Sequence, residues 1–216
     1  MPEIITMPAE LYRTSSAKFN PVYINTSAGP SNFNPISSIN GPTAVFWAPE
    51  FTFAISDAET YLLYRRFVMK LRGGKVLARL FDPTMTAEIF GDQPRGSGGA
   101  TPTVNIALDA EAGAETITIK NLVASQATAF MSGDMLGIGE NLYVVEDDCG
   151  SDAGGEATVS IQPPLRLGVA EDDPVNTLAP TGLFRLISGA QDLAMNLDRM
   201  GQAFTLVFQE VPDTDA

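Results

Sequence analysis

Several short runs along this 216-residue chain, among them 51–55, 156–161 and 204–208, alternate hydrophobic and polar positions with a period of two. In the run 44–55, Phe51, Phe53 and Ile55 fall on one side and Thr52 and Ala54 on the other. Successive side chains of a strand point to opposite faces, so this run predicts a half-buried strand, or a pair of strands broken at Pro49, with Trp47 in the core. Residues 75–81 carry apolar side chains on both faces, which predicts a central strand. The runs 103–108, 115–120, 136–145 and 156–161 are four short strands spaced as in a small antiparallel barrel. The last two flank an acidic, Gly-rich tip at 146–155, and Pro163 and Pro164 stop the second of them. Residues 182–187 and 203–211 are two further strands, the latter with Phe204, Leu206 and Phe208 on one side. Two isolated strands make no domain, so they are expected to return to the sheet of the first part.

One segment breaks the period. Ser56 and Glu59 have the spacing of a capping box, Asp57 and Glu59 sit at the positive end of a helix dipole, and Arg65, Arg66, Lys70 and Arg72 gather toward the negative end. Gly73 supplies a left-handed stop, so a helix is predicted over 57–72. At about 100° per residue, Leu63, Tyr64, Phe67, Val68 and Leu71 form one core-facing stripe. The opposite face holds Leu62, Arg65, Arg66 and Met69, two long apolar side chains among two arginines. Two readings fit it: a solvated face with snorkelling stems, or a subunit interface of the Arg-plus-apolar kind.

Between these elements, residues 14–43 are dense in Ser, Asn, Pro and Gly, which suits extended segments and turns anchored by Phe19, Val22, Tyr23, Ile24, Phe33 and Ile36. Residues 92–102, "DQPRGSGGATP", lack any large apolar side chain and mark a domain boundary. A second polar stretch, 170–177, closes the unit that follows. The expected architecture is mainly β: a β-barrel or sandwich core with one α-helix and an inserted small antiparallel β-barrel domain. Residues 1–97 form the core, 98–180 the peripheral insertion, and 181–216 the strands that return to the core.

Charge sharpens this division. The chain carries 13 basic and 26 acidic residues, but residues 1–100 hold 9 and 8 while residues 101–216 hold 4 and 18. Such an acidic excess repels phosphate backbones and anionic lipid, so neither a membrane-surface role nor specific nucleic-acid binding is expected. The first eleven residues lack the basic region and apolar core of a secretory signal, and no apolar run approaches the roughly 20 residues of a membrane span. Synthesis and folding in a cytosol are expected.

The search for chemistry returns exclusions. With no histidine in the chain, Ser-His-Asp, Cys-His and His-ligated metal sites are ruled out. Arg95 to Gly99 lacks the G-K-[ST] of a phosphate loop, and Gly137-Ile138-Gly139 is followed by Leu142 where a dinucleotide loop needs Gly or Ala. Cys149 is the sole cysteine, and Glu146, Asp147, Asp148 and Asp152 beside it disfavour its thiolate. Those carboxylates with Glu156 do not follow the calcium-loop spacing D-x-[DN]-x-[DN]-G, which favours a solvated tip over a chelate. A pair of carboxylates for glycoside hydrolysis is open in principle, but nothing singles out a pair. No cofactor, metal or catalytic residue is assigned.

Several segments taken in order carry a resemblance. "SSAKFNPVYINTSAGPSNFNPISSINGP", a Trp47-containing strand, "FVMKLRGGKVLARLFDP", a Gly-rich linker, "SGDMLGIGENLYVVED", "VSIQPPLR", "GLFRL" and "FTLVFQEV" together resemble the distal tail protein family of long-tailed bacteriophages. The pattern spans nearly the whole chain, and 71–74 with 159–166 are its most distinctive parts. The resemblance implies a homohexameric ring in the virion tail tip, with a β-barrel belt and an outward accessory β domain, joining the tail tube protein to the tail-tip hub protein. It brings no catalytic residues. The insertion here is shorter than the large sugar-binding accessory domains of some members, which weakens receptor binding as an expectation. A structural tail-tip component is the leading expectation. A carbohydrate-binding or adhesion module of a virion is the alternative, marked by an exposed aromatic platform.

Overall fold

The computed structural model describes residues 3–13, 15–28, 38–54, 57–84, 94, 103–188 and 203–211. In chain order the elements are β1 (Ile4–Thr6), α1 (Ala9–Arg13), β2 (Ser15–Ala28), β3 (Ser38–Ala54), α2 (Ala58–Leu71) and β4 (Leu77–Phe81). They continue with β5 (Asn105–Ile106), β6 (Thr116–Lys120), β7 (Met135–Ile138), β8 (Asn141–Val145), β9 (Ala157–Gln162), β10 (Val175–Asn176), β11 (Thr181–Ser188) and β12 (Ala203–Glu210). These make two six-stranded sheets, ordered β1-β4-β11-β12-β3-β2 and β10-β7-β8-β9-β6-β5. The chain is therefore mainly β, with one sheet close to a barrel.

The first sheet is antiparallel except for β1, which runs parallel to β4. The late strands β11 and β12 enter between β4 and β3, so the two ends of the chain share one sheet. Its inward face is aromatic because the period-two pattern puts Trp47, Phe51 and Phe53 of β3 on the same side, opposite the buried Phe204, Leu206 and Phe208 of β12. Pro49 does not break β3. The β12 ladder onto β3 ends at Glu50, beside the residue that has no N–H to give, while β2 pairs along the other side, where Phe19 stands opposite Pro49.

The helix α2 lies on this aromatic layer. Its buried side chains are Tyr61, Tyr64, Phe67, Val68 and Leu71, with Tyr64 5.3 Å from Phe53 and 5.2 Å from Phe204 between ring centres. Leu63, placed on the stripe by periodicity, is only half-buried, and Tyr61 takes the deeper position. The helix begins one residue later than the capping box implies: Asp57 is the cap and accepts from the Thr60 N–H at 2.8 Å, while Ser56 lies outside the described residues. It ends one residue earlier too, because Arg72 itself adopts the left-handed conformation (φ 47) before Gly73 does. A second, five-residue helix, α1, carries no strong sequence signal; its Tyr12 stacks on Phe81 with ring centres 4.0 Å apart. The linker at 92–102 lies outside the described residues apart from Pro94, as do Phe33 and Ile36.

The second sheet curls on itself. β5 pairs with β6 at one edge, and the bridge between Asn105 and Pro174 brings that strand to β10 at the other. The Val175 N–H donating to the Val104 carbonyl at 2.9 Å and the Ile106 N–H donating to Asp173 at 2.9 Å complete the ring. The polar stretch 170–177 is thus part of the barrel and not a spacer after it. The run 136–145 is two strands, turned back at Gly139 and Glu140, because Leu136, Ile138, Tyr143 and Val145 fill one small core from both arms of a tight hairpin.

Each sheet has its own core, and two side chains of the second sheet also enter the core of the first. Met135 and Leu142 of the barrel are buried in the core of the first sheet with Trp47, Phe184 and Phe208. Gly182 of β11 sits so close to this contact that a Cβ there would meet the Leu142 side chain at 3.1 Å, a space only glycine leaves free. A Leu142→Ala substitution should therefore destabilise both sheets together, by about 2–5 kcal/mol as a buried leucine lost to a cavity. Thermal unfolding followed by fluorescence of Trp47 and by far-ultraviolet dichroism should fall by the same amount in each signal, and a shift in only one would show that the sheets melt apart.

Candidate functional site

The outward face of α2 is the first place to look, because a helix that buries one stripe normally leaves charged residues on the other. Leu62 and Met69 are 59% and 62% exposed, and Arg65 and Arg66 lie exposed between them. With Lys70 and Arg72 these four line an open groove of about 520 Å³. A smaller hollow of about 230 Å³ adjoins it, where Ile5, Pro8, Leu63 and Phe67 meet Arg66 and Lys70. All four residues singled out from the helical period are thus together on one surface, and Lys70 and Arg72 extend it. Among the described residues, the only ion pair from this cationic stretch is Arg72 with Glu3, at 3.9 Å.

The acidic tip between β8 and β9 is less simple than a solvated loop. Asp147, Asp148, Asp152 and Glu156 are exposed, but Ser151 is buried and Cys149 half-buried. Asp152 organises the turn: its Oδ1 accepts from the Gly154 N–H at 2.8 Å and the Glu156 N–H at 2.9 Å. Asp148 Oδ1 accepts from the Ser132 N–H at 2.8 Å, and a bridge between Phe130 and Cys149 ties the same two loops together. Burial first, then the charges of Asp134 and Asp148, push the Cys149 thiol above its ordinary value, so the thiolate is disfavoured more by desolvation than by the neighbouring sequence. Among the described residues no group of three or more Cys, Asp or Glu is set to hold a metal ion.

The most unusual group lies elsewhere. Glu210 occupies the next inward position of β12 after Phe204, Leu206 and Phe208, and its side chain is 0% exposed. The Trp47 N–H donates to its Oε2 at 3.0 Å and Arg166 Nη2 stands 3.2 Å from the same oxygen, while Glu210 Oε1 is buried without a hydrogen-bond partner among the described residues. Around this centre the Trp47 indole N–H donates to the Leu142 carbonyl at 3.1 Å and the Arg166 N–H donates to the Tyr143 hydroxyl at 3.1 Å. A second link joins the units where Arg79 of β4 pairs with Glu140, its Nε donating at 3.1 Å. Burial raises the Glu210 carboxyl above the ordinary range, opposed by the Trp47 hydrogen bond and the Arg166 charge. Alternation alone could have found this residue, since a period-two pattern carried one step past Phe208 puts a carboxylate on the inward face.

None of these arrangements pairs a nucleophile with a base or opens a deep cleft onto a perturbed acid. No family model and no curated protein matches the chain. Among the described residues no helix is long and apolar enough to cross a membrane. The two charged features that the described residues present to solvent are a cationic, partly apolar helix face and an acidic barrel.

Two predictions follow from the charged groups. Because the folded state holds the Glu210 proton more tightly than the unfolded chain does, its contribution is complete below the ordinary glutamate pKa and is lost as pH rises through the raised value. The melting temperature of the native chain relative to Glu210→Gln should rise as pH falls from 7 to 4; movement the other way would mean that the Arg166 pair outweighs burial. At the tip, Asp152→Ala should cost about 1 kcal/mol through the two lost backbone acceptances, whereas Asp147→Asn should stay within about 0.5 kcal/mol. Urea denaturation of the two variants separates an organising carboxylate from a solvated one.

Proposed function

We propose that the chain is a structural subunit of the tail tip of a long-tailed bacteriophage, a member of a six-copy ring that joins the tail tube to the tail-tip hub. It works by adhesion and performs no catalysis. It is synthesised and assembled in the host cytoplasm and resides in the virion, with itself, the tube protein and the hub protein as partners. The observation that carries the reading is the α2 face: Leu62 and Met69 stand exposed beside Arg65 and Arg66, with no other part of the described chain covering them. Interfaces between proteins are enriched in Met and Arg and poor in Lys and Glu at their centres, and this face has that composition. A ring also needs two different patches on each subunit, because head-to-tail contacts close only when unlike surfaces meet.

The adhesion-module alternative needs an aromatic platform for a sugar ring. Trp47, the sole tryptophan, is 4% exposed and engaged through its indole N–H. Tyr23, the exposed aromatic side chain among the described residues, donates its hydroxyl to Gln162 at 2.9 Å. Trp47 is buried, and Tyr23 is a single exposed ring among the described residues rather than a platform of several.

Replacing Arg65 and Arg66 together by Glu should leave a folded monomer and no rings, since these exposed side chains contribute no buried volume. Native mass measurement and negative-stain imaging would show the change, with unaltered rings removing α2 from the interface.

A further inference from the structure

We infer that the surface seated on the α2 groove is the acidic barrel of a second copy of this chain, through the patch formed by Met131, Glu146, Asp147 and Asp148. The inference rests on the reading of α2 as a subunit interface and adds the identity of its occupant. Three observations carry it.

The first is the distribution of charge. Residues 103–180 contain 13 acidic and 2 basic residues. Both basic side chains are already engaged: Lys120 pairs with Glu171 and Asp172 at 2.7 Å each, and Arg166 with the buried Glu210. The barrel therefore has no cation left to neutralise its remaining carboxylates, while Arg65, Arg66 and Lys70 have no carboxylate partner among the described residues. In a chain of net charge −13, the concentrated cationic surface of α2 and the large acidic one of the barrel are complementary to each other.

The second is that charge alone does not distinguish this patch, but exposed apolar surface does. Met131 is 44% exposed beside the carboxylates of the β8–β9 tip. Its loop is held in place, the Met131 N–H donating to Asp134 Oδ2 at 2.8 Å and the Ser132 N–H to Asp148 Oδ1 at 2.8 Å. Met131 thus stands exposed on a loop tied to the acidic tip through Asp148, opposite in sign to a groove lined by Leu62, Met69 and arginines. Unbranched thioether side chains adapt to irregular facing surfaces, which suits Met against Met and Leu. The other acidic patch, near Leu108, has Glu171 and Asp172 already taken up by Lys120.

The third is that the contact is not made within one chain. The α2 groove is lined by α2 and the residue that caps it, and no barrel residue reaches it. Within the molecule the barrel docks through Leu142 and Arg166 at the Glu210 end of the sheet, and this leaves both charged surfaces open. Two unlike patches on one subunit are what a closed ring of identical copies requires.

Two full-length variants test this by exchange of charge. Arg65→Glu with Arg66→Glu makes the groove acidic, and Glu146→Lys with Asp147→Lys makes the patch basic while leaving the Asp148 hydrogen bond in place. Each variant alone should associate at least about tenfold more weakly than the native chain in sedimentation velocity, with an unchanged melting temperature. Mixed in equal amounts, the two should assemble again, because the reversed groove of one meets the reversed patch of the other and the native surfaces meet at the alternate contact. Raised salt should weaken native assembly. Loss of assembly with the arginine variant but not with the lysine variant, or no recovery on mixing, would overturn the acidic barrel as occupant and leave α2 as an interface. Assembly untouched by the arginine variant would overturn the interface itself, and the inference with it.

Discussion

A carboxylate at the end of an apolar strand fixes how the two halves of this protein meet. Glu210 follows Phe204, Leu206 and Phe208 on the inward side of β12, so folding carries its charge out of water along with them. An isolated buried charge is too costly to keep, and the donors that meet it come from separate parts of the chain: the Trp47 backbone in β3 and the Arg166 guanidinium after β9. Each donor is useful only if its element sits correctly against β12. The carboxylate thereby ties the barrel to the first sheet through Arg166, beside the apolar contact of Leu142 and Met135 with the aromatic layer.

This placement decides which surfaces remain for other molecules. The barrel covers the end of the sheet near Trp47 and Gly182, and the α2 groove is left uncovered. The charges are sorted between the two units: the helix gathers Arg65, Arg66, Lys70 and Arg72, while the barrel carries most of the carboxylates.

The acidic tip illustrates how local sequence and fold divide the explanation. Its carboxylates read as one solvated cluster, yet they hold different posts. Asp152 caps a turn, Asp148 ties down the loop of Met131, and Asp147 stays in solvent. The distinction depends on which backbone N–H groups the fold brings within reach, and residue type does not carry that information.

Strands such as β3, β9 and β12 were legible from alternation, because a half-buried strand separates apolar from polar side chains residue by residue, while β4 was legible from apolar side chains on both faces. The helix was legible from its stripe and from charges sorted along its dipole, and its exposed face of Leu62, Arg65, Arg66 and Met69 followed from the same geometry. What alternation could not register was the break at Gly139 and Glu140, where both arms of the hairpin are apolar, or α1, too short to show a period. It also could not tell that the polar stretch near Asp173 closes a barrel through backbone hydrogen bonds, which have no side-chain signature. Nor could it reveal that Glu210, Trp47 and Arg166 meet. Their contact joins residues 163 and 44 positions apart in the chain, and only the packed structure, in which a buried charge must find its donors, decides which distant groups these are.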